Sequence, residues 1–367
     1  MTDIRSEINA GVGLITLDRP RALNALSLDM VRDLYTLLFA WQDNPAVEAV
    51  AIRGSNKEGP FGAFCAGGDI RFFHSAGLAN DAALEDFFTE EYRLNHLIFN
   101  YAKPYIAFMD GIVMGGGMGI SQGASLRIVT ERSKLAMPET NIGLFPDVGG
   151  GYFLSRCPGS IGEYLALTGQ LLLGADALPM GLADNLVESA SMPSLWDSLT
   201  ANPETSVEER IKALKSNIQE STPIDHRPSW HDSGIDTCFS KSTIADIMVA
   251  LENQNTDWAQ TTIKTMRQRS PLMLHVVLEQ IQRGRSMSLA EDLRMERNMV
   301  RHCFYTEHLG RQGVTSETIE GIRALAIDKD HSPQWNPATI EEVSTEMVLP
   351  FFTSPWDAQH HPLADLD

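Results

Sequence analysis

The sequence lacks any run of 18 apolar residues, the length that a membrane-spanning helix requires, so we expect no membrane partner. It contains only four cysteines, widely spaced and without a C-x-x-C pair, which argues against a disulfide framework and against a zinc knuckle. Positive charge is scarce as well, because 29 lysines and arginines face 48 aspartates and glutamates, for a formal net charge of −19. Such an acidic chain is poorly suited to a nucleic-acid backbone, so we expect no nucleic-acid partner.

No targeting segment is recognisable, since residues 1–7 (MTDIRSE) lead into no apolar core of signal-peptide length. Together with the widely spaced cysteines, which fit a reducing compartment, this predicts a cytoplasmic protein. The ten histidines form no H-x-x-x-H or H-E-x-x-H pair, so the sequence predicts no metal site.

Strand-like and helix-like segments alternate in the first part of the chain. Residues 13–20 and 47–54 are β-rich runs that stop at a proline and at a glycine, which predicts strands. Between them, Ser27 is suited to cap a helix in which apolar residues recur at helical spacing over residues 30–41. The alternation returns over residues 104–137, and repeated units of this kind predict an α/β core.

The pattern changes about halfway along the chain, where helical periodicity begins to dominate and strand-like runs nearly vanish. We therefore expect residues 1–190 to form the core and residues 191–367 to form a mainly helical region. One helix is predicted near residues 288–304 from the spacing of its apolar positions. The last eight residues are expected to form a loose tail.

Two glycine-rich turns follow strand-like segments. Residues 115–119 (GGGMG) form one turn, and residues 63–70 (AFCAGGDI) form the other. Free amides at such turns can bind an anion or stabilise a developing oxyanion. The spacing fits neither the dinucleotide-binding pattern nor the P-loop pattern. A lone glycine run can serve close packing alone, but two turns can supply the pair of amides that thioester chemistry requires.

Three acidic residues stand in apolar surroundings. Glu139 and Asp147 lie eight residues apart in a segment that is otherwise apolar and rich in glycine. Glu91 lies on the apolar stripe of a predicted helix over residues 87–98. Buried acids acquire raised pKa values, which suits them to proton transfer. Asp147 also fits a turn or capping role, and Glu91 also fits the edge of the stripe with its carboxylate in solvent.

Three motifs resemble, in the expected order, the crotonase (enoyl-CoA hydratase/isomerase) superfamily: residues 17–26 (LDRPRALNAL), 64–70 (FCAGGDI) and 115–117 (GGG). The resemblance implies an α/β fold, a crotonase-like spiral of ββα units followed by a helical C-terminal region. It implies oxyanion-hole amides at Gly68 and Gly116. It further implies a coenzyme A site lined by Arg21, Ala22, Leu23, Ala66, Asp69 and Ile70.

The sequence departs from the hydratase pattern at Gly119, a position where hydratases carry a catalytic glutamate. Without one of the two acid/base groups, water addition to an enoyl double bond is disfavoured. Longer matches in residues 88–92, 137–153 and 320–330 resemble the 3-hydroxyisobutyryl-CoA hydrolase branch of the superfamily.

That branch implies Glu139 and Asp147 as the catalytic carboxylates and Glu91 as an acid that contacts the substrate. The implied activity is hydrolysis of a short-chain acyl-CoA thioester in valine catabolism. No cofactor is expected, because coenzyme A is part of the substrate.

Two other functions stay open at this point. One is a hydratase, an isomerase or another acyl-CoA enzyme on the same fold, against which Gly119 argues. The other is a ribosome- or RNA-associated homologue, against which the net charge of −19 argues. The resemblance also allows a homo-oligomer, because crotonase relatives are often trimers or hexamers.

Overall fold

A computed structural model describes residues 3–219 and 233–367. Contacts within the chain divide it into two compact units, each assembled from three separate segments. Unit 1 comprises the described parts of Met1–Gly68, Arg93–Ala136 and Leu171–Pro228. Unit 2 comprises the described parts of Asp69–Tyr92, Met137–Gln170 and Ser229–Asp367. The boundary near residue 190 stays a prediction.

The strands lie mostly in unit 1. They are β1 (Ile4–Asn9), β2 (Val12–Leu17), β3 (Ala49–Gly54), β4 (Tyr105–Met109), β5 (Ile112–Met114), β6 (Leu126–Thr130), β7 (Lys134–Ala136), β8 (Leu172–Leu173) and β9 (Asn185–Val187). In unit 2, two short strands, β10 (Tyr305–Thr306) and β11 (Arg311–Gln312), pair with each other.

The α-helices are distributed over both units. They are α1 (Leu28–Gln42), α2 (Ile70–Ala79), α3 (Ala83–Phe99), α4 (Gly116–Gln122), α5 (Gly150–Leu154), α6 (Ile161–Thr168), α7 (Gly174–Ala177), α8 (Met192–Ser198), α9 (Val207–Gln219), α10 (Ile235–Phe239), α11 (Ile244–Gln254), α12 (Asp257–Met266), α13 (Pro271–Gly284), α14 (Leu289–Phe304), α15 (Glu317–Ile322) and α16 (Thr345–Val348). Among the described residues, no helix has both the length and the apolar character that crossing a membrane requires.

The larger sheet of unit 1 runs in the order β1-β2-β3-β4-β6-β9. β1 is antiparallel to β2, and the other neighbours in this sheet are parallel. All five residues of β4 are buried, as expected for a parallel strand covered on both faces. A second sheet, in the order β5-β7-β8, carries the strand that leads into α4.

The opening of unit 1 confirms the predicted strand, helix and strand. β2 and β3 are paired in parallel, with α1 between them in sequence. Ser27 caps α1 as predicted, because its side-chain oxygen accepts a hydrogen bond from the amide of Met30. The core of the unit contains buried residues from the strands, such as Ala51 and Phe108, together with Trp196 of α8.

Unit 2 is mainly helical, and α14 matches the helix predicted near residues 288–304. Ser288 and Glu291 form a capping box, in which each side chain accepts the other's backbone amide. The predicted loose tail is wrong, because Leu363 is fully buried. Arg294 also donates a hydrogen bond to the carbonyl of Leu366, at 2.6 Å, and this fixes the end of the chain on α14.

Candidate active site

The first glycine-rich turn of unit 1 begins helix α4. Gly115 is the N-cap, with φ 47° and ψ −120°, and Gly116 is the first residue of the helix. The amide of Gly116 is therefore one of those at a helix start that have no carbonyl partner within the helix. Gly117 has a packing role, since a Cβ at this position would lie 2.4 Å from the carbonyl oxygen of Cys65.

The second glycine-rich turn lies beside the first within unit 1. Gly67 has φ 105°, and a Cβ at Gly67 would lie 3.6 Å from the amide nitrogen of Gly116. The carbonyl of Gly67 accepts a hydrogen bond from Leu26, which fixes the turn just before Gly68. The structure thus brings the two turns together, as the sequence suggested. The oxyanion role of the Gly68 and Gly116 amides stays a prediction.

The predicted coenzyme A residues of unit 1 lie on two connected segments. Arg21 and Ala22 belong to a single 3₁₀ turn, and Leu23 follows it with its side chain exposed and φ 51°. The amide of Ala66 donates to the carbonyl of Leu23 at 3.1 Å, so the two segments are joined by a hydrogen bond. Buried Asn24, which the sequence analysis missed as a site residue, donates to the carbonyls of Ser55, Ala63 and Phe64 and strengthens this junction.

Two further predicted coenzyme A residues, Asp69 and Ile70, lie at the start of α2 in unit 2. Asp69 is the N-cap of this helix, and its side chain accepts hydrogen bonds from the amides of Arg71 and Phe72. This is a structural role that the sequence did not anticipate. Contact between these two residues and coenzyme A stays a prediction.

Unit 2 also contains the three predicted acids. Glu91 lies on α3, Glu139 begins a 3₁₀ turn, and Asp147 lies in the loop before α5. Their exposed fractions are 1%, 7% and 6%. The alternative in which Glu91 reaches solvent is therefore wrong. Asp147 is also buried, so it is not an exposed turn residue.

The three acids are close enough for their charges to interact. Burial raises the pKa of Glu91 well above its usual range, and the charges of Asp147 and Glu139 raise it further. The pKa of Glu139 is likewise raised well above its usual range, first by burial and then by Asp147. Burial raises the pKa of Asp147 to about 7. A group with this pKa can both accept and donate a proton at neutral pH.

Tyr92 is a member of this cluster that the sequence analysis missed. Its hydroxyl donates to Oδ2 of Asp147 at 3.0 Å, and this bond opposes the rise in the pKa of that carboxyl. Oε1 of Glu91 and Oε2 of Glu139 have no hydrogen-bond partner in the described part of the chain. Buried polar atoms of this kind are costly in a folded protein, and they are typical of sites that bind a polar ligand.

Asn95, which belongs to unit 1, is another buried polar residue that the sequence analysis did not single out. It follows Glu91 by four positions in α3, is 3% exposed, and neither polar atom of its side chain has a hydrogen-bond partner among the described residues. The sequence did contain a signal for Asn95, namely a side-chain amide on the predicted apolar stripe of this helix. Over residues 3–219 and 233–367, no group of three or more His, Cys, Asp or Glu side chains is arranged to hold a metal ion. The expected absence of a metal and of a cofactor stays a prediction.

The chain is similar to known proteins over most of its length. The family model described as enoyl-CoA hydratase/isomerase matches residues 12–352. The mitochondrial 3-hydroxyisobutyryl-CoA hydrolase of Gallus gallus is 40% identical over 350 residues, which cover 94% of this chain and 87% of that protein. The protein of the same name from Homo sapiens is 39% identical, and the match covers 93% of this chain and 86% of that protein.

Two solved structures are similar as well. A carnitinyl-CoA dehydratase from Mycobacterium thermoresistibile has a TM-score of 0.84 and 34% identity, and the match covers 97% of this chain and 98% of that one. An enoyl-CoA hydratase from Rhodobacter sphaeroides 2.4.1 has a TM-score of 0.81 and 37% identity, with coverage of 96% and 98%.

These similarities define the protein as an α/β protein of the crotonase fold, as predicted. The chain belongs to the enoyl-CoA hydratase/isomerase family. The predicted cytoplasmic location is contradicted, because the relatives that match are named as mitochondrial proteins.

Proposed function

We propose that the protein is an acyl-CoA thioester hydrolase that acts on 3-hydroxyisobutyryl-CoA. The observation that carries this proposal is the buried cluster of Glu91, Glu139 and Asp147, whose pKa values are all raised. Raised pKa values at buried, interacting acids are typical of catalytic sites. Relatives that are 39–40% identical over nearly the whole chain carry the name of this activity.

In the proposed reaction, the amides of Gly68 and Gly116 donate hydrogen bonds to the carbonyl oxygen of the thioester. Negative charge develops on this oxygen as the carbonyl carbon becomes tetrahedral, and each donor typically contributes roughly 2.7–4 kcal/mol to the stability of that state. The start of α4 suits Gly116 to this role, because its amide needs no partner within the helix.

Water is consumed and two bonds change during turnover. A carbon–oxygen bond forms at the carbonyl, the carbon–sulfur bond breaks, and coenzyme A leaves as a thiolate. Glu139 either accepts the proton of the attacking water or attacks the carbon itself to give an anhydride, which water then hydrolyses. Asp147 positions the water or the hydroxyl of the substrate, and its pKa of about 7 lets it exchange a proton near neutral pH.

The remaining substrate contacts follow from the same proposal. Glu91 contacts the acyl group, and the residues proposed to hold coenzyme A are Arg21, Ala22, Leu23, Ala66, Asp69 and Ile70. The hydrogen bond from the amide of Ala66 to the carbonyl of Leu23 supports this assignment, because it joins two of the contributing segments.

Hydration of an enoyl-CoA is the second candidate, because the two similar solved structures are named as a dehydratase and a hydratase. Position 119 argues against it. Gly119 lies inside α4, with its amide bonded to the carbonyl of Gly115, and offers no side chain for proton transfer. Fold similarity alone does not fix the reaction.

The experiment that tests the proposal is a thiol-release assay on the purified full-length protein. The panel contains 3-hydroxyisobutyryl-, 3-hydroxypropionyl- and crotonyl-CoA, and hydration of crotonyl-CoA is followed in parallel. Faster release of coenzyme A from 3-hydroxyisobutyryl-CoA than hydration of crotonyl-CoA supports the proposal, and the reverse order would refute it. Light scattering on the same sample tests the further proposal of a homo-oligomer, a trimer or a hexamer.

A further inference from the structure

A second pair of buried acids lies in unit 2, on α14. Asp292 and Glu296 are one helical turn apart, and both side chains are fully buried. Oδ1 of Asp292 has no hydrogen-bond partner among the described residues. Two buried acids one helical turn apart cannot both be ionised without a large cost.

The pair accepts the amides of the loop that follows Asp147. Oε2 of Glu296 accepts the amide of Gly149 at 2.8 Å, and Oε1 accepts the amide of Gly151 at 2.9 Å. Oδ2 of Asp292 accepts the amide of Tyr152 at 2.9 Å. These amides lie at the start of α5, where the helix itself provides no acceptor.

The loop is also fixed on the other side of Asp147. The side-chain amide of Gln280 donates to the carbonyl of Pro146 at 2.7 Å and to Oε1 of Glu296 at 3.1 Å. Hydrogen bonds from α13 and α14 therefore hold the backbone both before and after the acid.

The backbone between these contacts is strained. Val148 has φ 57°, a left-handed conformation that is rare for a β-branched residue. Such a conformation is unfavourable and persists only where the surroundings enforce it, most often at functional sites. The hydrogen bonds to Gly149 and to the carbonyl of Pro146 supply that enforcement on either side.

The glycines of this loop make room for the acids. A Cβ at Gly151 would lie 2.3 Å from Oδ1 of Asp292, so any larger residue would push the carboxyl away from its amide partner. A Cβ at Gly150 would lie 2.9 Å from Cβ of Pro146. Close approach of α14 is therefore the physical reason for glycine at position 151, whereas at position 150 the close neighbour is Pro146 of the loop itself.

We propose that Asp292 and Glu296 act as positioning residues, holding the loop so that Asp147 is presented to the substrate. The inference rests on the proposed role of Asp147. The two acids hold the loop by accepting the amides of Gly149, Gly151 and Tyr152. Neither side chain is required to touch the substrate.

Burial and neighbouring charges act on both carboxyls of the pair. Burial raises the pKa of Asp292 to about 7, while Arg156 acts in the opposite direction. Burial raises the pKa of Glu296 well above its usual range, and the charges of Asp292 and Asp147 add to this rise. Tyr92, whose pKa is also raised by the charge of Glu296, stays neutral and adds no charge to the group.

Replacing each acid by its amide distinguishes the roles of Asp292 and Glu296. In Asp292→Asn, the side-chain oxygen still accepts the amide of Tyr152. In Glu296→Gln, an NH₂ group must instead face the amide of either Gly149 or Gly151. Asp292→Ala removes the contact altogether.

We expect Asp292→Asn to keep kcat within about threefold of wild type. Glu296→Gln and Asp292→Ala should lower kcat by about a hundredfold, with little change in KM, because a displacement of about 1 Å at a catalytic group can cost this much. Glu163→Gln is the matched control: Glu163 is a buried acid of the same unit, paired with Arg285, and its loss should lower thermal stability while kcat is retained.

Hydrogen exchange of the peptide that covers residues 146–152 supplies a readout that needs no substrate. Exchange should be slow in wild type and Asp292→Asn, and fast in Glu296→Gln and Asp292→Ala. If the four proteins show this exchange pattern but wild type has no thioesterase activity, the proposed function fails while the positioning role stands. Equal damage from Asp292→Asn and Asp292→Ala, or wild-type exchange and kcat in Glu296→Gln, would overturn the inference.

Discussion

The hydroxyl of Tyr92 donates a hydrogen bond to Oδ2 of Asp147 at 3.0 Å, and both side chains are buried. The bond stabilises the ionised form of the acid against the burial that raises its pKa. Tyr92 therefore helps to keep the pKa of Asp147 near neutrality.

The first prediction concerns the pH profile of a Tyr92→Phe variant. Without this donor the pKa of Asp147 rises, so the ionised acid is populated only at higher pH. The acidic limb of the kcat/KM profile should move upward by roughly one pH unit, since a hydrogen bond to a charged group contributes about 1.5 kcal/mol.

Tyr105→Phe is the control for this change. Tyr105 is equally buried, but its hydroxyl donates to the carbonyl of Ile120 in unit 1. This variant should lose some stability and keep the wild-type pH profile. An unmoved acidic limb in Tyr92→Phe would show that Asp147 does not govern the profile.

The second prediction concerns the pH dependence of stability at Asp147. Its pKa is about 7 in the folded protein against an ordinary value of 3.8, so the folded state binds more protons than the unfolded state between these values. Stability therefore falls as pH rises from about 4 to about 7, and the loss is complete above this window. The Asp147→Asn variant has no carboxyl group to ionise at this position, so this loss of stability should not occur in it.

Urea unfolding of wild type and Asp147→Asn at pH 5 and pH 8 measures this effect. The variant should be more stable by roughly 4 kcal/mol at pH 8, with a smaller gain at pH 5. A gain that is larger at pH 5 than at pH 8 would contradict a raised pKa.

The third prediction concerns the oxyanion donor at Gly116. Proline is well tolerated at the first position of a helix, where its missing amide has no helical partner to lose. Gly116→Pro should therefore unfold at a temperature close to that of wild type while activity falls by at least about a hundredfold. A folded and fully active variant would exclude this amide from the reaction.

The fourth prediction concerns Asn95. Its side chain is buried without a partner among the described residues, so it lowers stability unless a ligand satisfies it. Asn95→Leu, which is similar in volume, should raise the free energy of unfolding by about 1–3 kcal/mol and lower kcat/KM for the hydroxylated acyl-CoA. Lower stability together with unchanged activity would assign Asn95 a packing role.

Local pattern singled out candidate residues, and the resemblance to the crotonase family assigned their roles in the site. Apolar surroundings drew attention to Glu139 and Asp147 because burial and raised pKa follow directly from composition. Glycine at 116 predicted a turn with a free amide for a comparable reason, since backbone freedom is a local property. The helix α14 followed from periodicity alone.

Long-range contacts escaped prediction. The bond between Gly149 and Glu296 spans 147 residues, and no periodicity within α14 indicates which loop its buried acids will hold. The burial of Leu363 also depends on contacts with residues that are distant in sequence. The polar composition of the last eight residues therefore predicted a loose tail. The compact units are discontinuous for the same reason, because contacts and not chain order define them.

Single-turnover release of coenzyme A from 3-hydroxyisobutyryl-CoA is the most direct test of the central claim. It compares wild type with Glu139→Gln, Asp147→Asn and the double variant, each checked for acyl-CoA binding and thermal unfolding. Each single change should lower the rate by at least about a hundredfold, and the double change should cost far less than the product of the two. A wild-type rate in Glu139→Gln would contradict the account.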